Sequence, residues 1–285
     1  MTPLIQCVPN FSAGRDAAAI KAIVDAIRRT PGVHLTDWSA DADHDRLVVT
    51  FVGPPEPVRA AALAAAAAAI EVIDLRAHSG VHPRLGAIDV LPFVPLSGIT
   101  LADCAALAVS VGRQLAALYA LPIFFYEAAS PLARSLPFIR KSAFTILLPD
   151  LGPQTPHPTA GAVVAGARGP LIAYNVNLAA SDPVIARLIA REMRTFPALP
   201  GIRALGLRLP SRDMTQVSMN LTRPAETPLL SVFQYIERRA ADFDTTAVES
   251  EIIGVLPNSA AVGVLADALR CPAFRPEQIL PRSDP

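Results

Sequence analysis

The segment from Asp74 to Asp89 (Asp-Leu-Arg-Ala-His-Ser-Gly-Val-His-Pro-Arg-Leu-Gly-Ala-Ile-Asp) holds two of the chain's five histidines, two arginines and two aspartates. Histidine has an unperturbed pKa near neutrality, so one imidazole can take up a proton and later return it. Gly80, Pro83 and Gly86 interrupt any helix here, which predicts a fixed loop presenting His78, His82 and Arg84. Arg84 has the planar fork that grips a carboxylate with two parallel hydrogen bonds. His78 and His82 stand four apart, as metal ligands do on a helix, but Gly80 and Pro83 disfavour that helix and no third ligand is evident. The plainer alternative is a loop whose His and Arg side chains only cap backbone groups.

Other polar clusters say less. Asp41-Ala-Asp43-His44-Asp45 resembles half a calcium loop without its later Gly and Glu, and is expected to be a solvated turn. The glycines at 161, 166 and 169 lack dinucleotide spacing, the only lysines are Lys21 and Lys141, and no Gly-x-Ser-x-Gly occurs. NAD, ATP and serine-hydrolase chemistry are therefore not supported. Hydrophobic residues make up 52% and charged residues 18%, with 25 basic against 25 acidic side chains. That composition suits a globular protein and argues against nucleic acid as the main partner. The most apolar run, Ala60 to Ile73, is too short to span a bilayer, and the N-terminus has no basic leader. Cys7, Cys104 and Cys271 stand singly, as small buried hydrophobes in a reducing compartment do. The expectation is a cytoplasmic protein without a membrane partner or a metal.

The elements that must position the polar loop are legible as alternating short units. Leu4 to Val8 reads as a strand, and Asp16 caps a helix to about Arg29 with Ile20, Ile23, Val24 and Ile27 on one face. Val33 to Trp38 and Arg46 to Val52 read as strands, and Pro57 to Ile73 as a helix. Val90 to Val94 reads as a short proline-bounded strand, Leu101 to Leu118 as a helix and Ile123 to Tyr126 as a buried strand. Pro149 to Gly161 reads as an ordered loop. Such alternation predicts α/β layers, and 285 residues suggest two subdomains. Three apolar strands end in Asn before a capped helix, at Asn10, Asn177 and Asn220. Either short polar residues simply end strands, or these strand ends converge on one cleft lined by Asn amides.

Seven ordered segments carry a resemblance. Cys7-Val-Pro-Asn-Phe-Ser12, Thr50-Phe-Val-Gly-Pro-Pro55, His82-Pro-Arg-Leu-Gly-Ala87, Asp89-Val-Leu-Pro-Phe-Val-Pro95, Tyr126-Glu-Ala-Ala129, Asn175-Val-Asn-Leu178 and Gln216-Val-Ser-Met-Asn-Leu221 resemble the glutamate formiminotransferase domain. The likeness runs from about Leu4 to Leu256, and the form expected is the stand-alone one without a cyclodeaminase. It implies an α/β fold of two subdomains, 1–168 and 169–285, each a mixed sheet with helices outside and a ligand groove between them. It also implies a homodimer. The implied reaction moves the formimino group of N-formimino-L-glutamate to N5 of tetrahydrofolate, the co-substrate, in histidine degradation. The catalytic histidine maps onto His82, with Gln216 and Arg140 near the reacting centre. The folate-binding loop maps onto Gly152, Pro153, Gln154, Thr155, Pro156, His157, Pro158, Thr159, Ala160 and Gly161.

Three departures from the family pattern follow. Ser39 stands where the family commonly has an acidic residue supporting the histidine, so either Asp37 or the Asp41 to Asp45 cluster must orient His82, or its basicity differs. The segment before the folate loop is shortened. Pro156 and Ala160 replace aromatic positions of some relatives, and His157 is added. Transfer of formyl, another amidine donor, or a silent folate-binding protein are the alternatives on the same scaffold.

Overall fold

The computed structural model describes residues 2–271 and 273–275; positions 276–285 of the expected second subdomain lie outside the described residues. The chain divides into two units, Met1–Gly169 and Pro170–Pro285. The first contains β1 (Leu4–Cys7), β2 (Asn10–Phe11), α1 (Ala17–Arg28), β3 (His34–Asp41), β4 (Arg46–Gly53), α2 (Pro55–Val72), β5 (Ile88–Ser97), α3 (Leu101–Tyr119), β6 (Ile123–Glu127), α4 (Leu136–Ser142) and β7 (Val163–Ala167). β1 and β2, interrupted at Val8-Pro9, both pair antiparallel with β4 and β5, and β3 flanks β4. β7 runs parallel to β5, and β6 parallel to β7, so the sheet is mixed.

Alternation along β4 puts Leu47, Val49 and Phe51 on one face, where all three are fully buried. α1 covers that face with Ile23, Val24 and Ile27, each contributing roughly 1.5–3 kcal/mol through burial. Its start is fixed by the Asp16 carboxylate, which accepts the Ala18 and Ala19 amides at 2.8 and 3.2 Å. α3 joins the same layer through Cys104, Leu107, Ala108, Val111 and Leu115. By length and composition this helix is apolar enough to cross a membrane, a test that a core helix also passes. A search for unbroken apolar runs overlooks it because Asp103 and Arg113 punctuate a segment of low overall polarity. On the opposite face, Ile139 of α4 packs with Val90, Phe124, Tyr126 and Val164.

β5 is longer than the proline-bounded strand expected, because Pro92 and Pro95 lie inside it. The ladder to β1 shifts register between Leu4 and Ile5, opposite Pro95, and a bulge is where a strand tolerates a residue without an N–H. Pro92 still uses its carbonyl, which accepts the Val8 amide at 3.3 Å.

The second unit contains β8 (Ile172–Leu178), α5 (Pro183–Met193), β9 (Ile202–Leu209), β10 (Met214–Leu221), α6 (Leu229–Ala241), β11 (Ala247–Ile253) and α7 (Asn258–Ala268). Its sheet, in the order β11-β8-β10-β9, is antiparallel throughout, which corrects the expectation of a second mixed sheet. The tight connection through Pro210–Arg212 and Asp213, at φ 49°, closes β9 and β10 into a hairpin, and hairpin neighbours must be antiparallel. Tyr174, Val176, Leu178, Val217, Met219 and Leu221 pack in the core with α5 and α6. The residues between them, Asn175, Asn177, Gln216 and Ser218, therefore face the other way.

Within the second unit, Asn177 and Asn220 do not share a strand end. Asn177 pairs with Gln216 but Asn220 pairs with Ala173, at the far end of the same two strands, because antiparallel strands end at opposite edges. Asn10 belongs to the other unit. Cys7 and Cys104 are buried as expected, whereas Cys271 is exposed.

Candidate active site

The loop from Asp74 to Asp89 is built by its own polar side chains. Asp74 caps a single 3₁₀ turn, Leu75–Ala77, through the Arg76 amide. Arg84 then folds back over the loop: its Nη2 donates to the carbonyls of Gly80 and His82 at 2.9 and 2.8 Å. Its Nη1 lies 3.1 Å from His78 Nε2. Arg84 is thereby spent on holding the loop, which corrects the carboxylate-gripping role expected of it. His78 is turned toward Asp45, with Nε2 3.1 Å from both its backbone and carboxylate oxygens.

The Asp41 to Asp45 turn is not solvated as expected. His44 and Asp45 are buried, Asp41 accepts the His44 amide at 2.7 Å, and Asp45 accepts the Gly14 amide at 2.8 Å. The turn is dense in acidic groups because buried backbone amides need those acceptors.

His82 stands beside a buried ionic network centred on Asp89. Asp89, fully buried in β5, accepts the Leu85 amide and Arg46 Nη1, both at 2.8 Å, and also Arg140 Nη2. Arg46, the first residue of β4, donates through Nε to Asn10 Oδ1 at 3.1 Å. Its Nη1 lies 3.0 Å from His82 Nδ1, which is also 2.8 Å from the Pro83 carbonyl. One imidazole nitrogen can satisfy only one of these. With its proton on Nδ1 the ring donates to Pro83 and leaves Nε2 as a base; with the proton on Nε2 it accepts from Arg46.

His82 Nδ1 is held by the Pro83 carbonyl and Arg46, and the His44 ring of the Asp41 to Asp45 cluster lies beside the imidazole, centroids 5.9 Å apart. The consequence is electrostatic. Burial, reinforced by the Arg46 and Arg140 charges, pushes the His82 pKa down to about 2 against the partial counter-effect of Asp89. These surroundings favour the neutral ring in the ligand-free protein. Burial alone would raise the Asp89 carboxyl, but Arg140, Arg46 and the Leu85 amide outweigh it and hold it below the usual range. In Arg140→Gln the His82 pKa is expected to rise only part of the way, because burial and Arg46 still depress it, as read from an NMR titration of the ring. A titration unchanged from wild type would contradict the part assigned to Arg140.

The Gly152 to Gly161 loop is tied to the His82 loop within this unit. Ala87 N donates to Ala160 O and Ala162 N to Leu85 O, both at 2.9 Å, and Leu75 N donates to Thr159 O at 2.8 Å. A Cβ on Gly86 would meet the Ala162 carbonyl oxygen at 1.9 Å. Gly86→Ala is therefore expected to destabilise the protein by more than about 2 kcal/mol, measured as a lowered Tm; an unchanged Tm would contradict the close approach. His157 pins the loop tip, its Nδ1 accepting the Ala160 and Thr159 amides at 3.0 and 3.3 Å. Gly152, Pro153, Gln154, Thr155, Pro156 and Pro158 are exposed, whereas Ala160 is buried in the core and offers a ligand no platform.

Of the expected site residues, His82 and Arg140 come together around Asp89. Gln216 lies in the second unit, buried on β10, with Nε2 bonded to Asn177 Oδ1 at 2.9 Å. Sequence reasoning missed Arg46 and the central role of Asp89. The available signal was a charge opening or interrupting an apolar strand, in Arg46-Leu-Val-Val and Ala87-Ile-Asp-Val-Leu. Buried charges of opposite sign must pair.

Comparison with known proteins bears on this arrangement. Residues 4–168 match the formiminotransferase domain, N-terminal subdomain, and residues 173–267 match the formiminotransferase domain. A glutamate formimidoyltransferase of Streptococcus pyogenes is 37% identical, covering 93% of this chain and 92% of that protein. One of Thermoplasma acidophilum is 38% identical, covering 98% and 96%. The formimidoyltransferase-cyclodeaminase of Rattus norvegicus is also 38% identical, covering 93% of this chain but 52% of that longer protein. With both subdomains matched in order and relatives aligned along nearly their whole length, this chain belongs to the glutamate formiminotransferase family.

Proposed function

We propose that the protein transfers the formimino group of N-formimino-L-glutamate to N5 of tetrahydrofolate, with His82 as general acid and base. The observation that carries this reading is the His82 imidazole, 3.0 Å from Arg46 of the Arg46–Asp89–Arg140 network, in a member of this family. N5 attacks the formimino carbon and gives a tetrahedral adduct. His82 Nε2 takes the N5 proton and returns it to the glutamate nitrogen, which leaves as the carbon–nitrogen bond breaks.

A neutral ring is the correct starting state for a base, and its low basicity belongs to the ligand-free site. Arg46 and Arg140 carry two positive charges against the single Asp89. A dicarboxylate donor shields that excess and raises the His82 pKa toward the working range. Arg140 Nε has no partner among the described residues, which suits it to such an anion. The Gly152 to Gly161 loop is the folate-binding segment in this reading, residues 1–168 and 169–285 are the two subdomains, and the enzyme is a cytoplasmic homodimer.

The test mixes purified protein with tetrahydrofolate and either N-formimino-L-glutamate or N-formyl-L-glutamate, and reads the folate product by absorbance after acid conversion to its methenyl form. Product from the formimino donor alone is expected. Product from the formyl donor alone, or folate binding without turnover, would replace the reading.

A further inference from the structure

The tip of the Gly152 to Gly161 loop closes on a single side chain whose charge can change. His157 N donates to the Gly161 carbonyl at 2.8 Å, and Gly161 N donates back to the His157 carbonyl at 3.0 Å. Between them Pro158 has no N–H, and the Thr159 and Ala160 amides both donate to His157 Nδ1. Every N–H from 158 to 161 therefore ends on His157. The ring takes the part that an Asn or Asp oxygen takes in an Asx turn or a helix N-cap, accepting from amides two and three residues on.

This arrangement is compatible with one protonation state. To accept from two amides Nδ1 must carry a lone pair, which places the ring proton on Nε2 and leaves the imidazole neutral. A second proton makes Nδ1 a donor facing two donors. Ala160 is fully buried, so water cannot supply the acceptor that its amide then loses. The ring's partners are these two amides and, at 3.5 Å, the Thr159 hydroxyl, none of them charged. Charged and titratable groups on the segments tied to this tip are engaged elsewhere. Asp74 pairs with Arg76, Arg84 with the Gly80 and His82 carbonyls, and Asp89 with Arg46 and Arg140. Asp150 pairs with Arg134, and His82 bonds to Pro83 and Arg46. The effect reaches beyond the tip, because Thr159 O holds Leu75 N and Ala160 O holds Ala87 N, on either side of His82 in the chain.

We propose that His157 is a positioning residue that acts as a protonation-sensitive latch. Neutral, it folds the loop tip and steadies the segment carrying His82; protonated, it releases both. That the released loop is the one that holds folate rests on the function proposed above. The latch is complete while the ring is neutral and is lost as pH falls and Nδ1 takes up a proton.

The experiment uses the full chain. In the ligand-free wild type, nitrogen chemical shifts of the His157 ring read its tautomer. Hydrogen exchange of the Thr159 and Ala160 amides, corrected for its intrinsic pH dependence, reads the latch. A proton on Nε2 is expected at about pH 7.5, with Ala160 protection falling about tenfold by about pH 5.5. In His157→Asn the side-chain oxygen takes the place of Nδ1 and does not titrate, so protection should change less than about twofold over that range. Calorimetry should show Kd for tetrahydrofolate rising about tenfold more in the wild type than in His157→Asn. That ratio cancels ionisation of the ligand and of other groups. A proton on Nδ1 at neutral pH, which needs no variant to detect, would overturn the proposal. So would the same pH dependence of protection in the two proteins. Protection that follows the latch while tetrahydrofolate affinity does not would support the latch and overturn the loop's assignment to folate, so the two failures are distinguishable.

Discussion

Replacing His82 with alanine is expected to lower kcat/KM for formimino transfer by about 10²–10⁴-fold, the usual contribution of a positioned acid–base group. Stability at neutral pH should change little, because among the described residues the ring's hydrogen-bond partners are the Pro83 carbonyl and Arg46, whose other bonds to Asn10 and Asp89 remain. Activity and Tm, measured on one preparation, separate the two effects. Retained activity would remove His82 from the centre of the reaction. The pH dependence carries further content. Since burial and the two arginines keep the free ring neutral down to about 2, kcat/KM should show no His82 ionisation between about pH 5 and 8. The donor's carboxylates shield those arginines in the complex, so kcat should acquire an acid limb as the His82 pKa rises. An acid limb in kcat/KM near about pH 6.5, matched by an NMR titration of His82, would show a ring already poised in the free enzyme.

The largest stability effect is expected at Asp89. Asp89→Asn leaves Arg46 and Arg140 partly buried beside a neutral amide. Removing one partner of a buried ionic cluster typically costs about 3–5 kcal/mol. For a protein of this size that corresponds to a Tm lowered by roughly 6–20 °C. Thermal unfolding followed by circular dichroism measures it, and a Tm within a degree or so of wild type would show the network to be dispensable. The same groups predict acid lability. The His82 pKa is lower folded than unfolded, so its contribution is complete above about pH 6.5 and declines as pH falls and the unfolded chain binds the proton. Asp89, also lowered on folding, contributes above its ordinary range near 3.8 and loses that contribution as pH falls through its folded value. Stability should therefore decline below about pH 6.5 and more steeply below about pH 4.

Several elements were readable in the sequence because their causes are local. The Asp16 carboxylate and the spacing of Ile23, Val24 and Ile27 specify α1 without reference to the rest of the chain. Asp182 and Pro183 likewise specify the start of α5. The glycines and proline around His82 mark a loop for the same reason, since backbone freedom at 80, 83 and 86 is a property of those residues themselves.

The tertiary structure decided what those residues do, because their partners are remote in the chain. Asp89 meets Arg46 from 43 positions away and Arg140 from 51, so no sequence window contains the network that sets the state of His82. Arg84 and Asp45 look like ligand-binding groups in isolation, but the fold engages them with backbone carbonyls and amides. Ala160 aligns with a loop and belongs to the core. Composition and spacing determine which groups are available. Burial and long-range pairing determine which remain free for chemistry, since every polar group the fold encloses must first be satisfied.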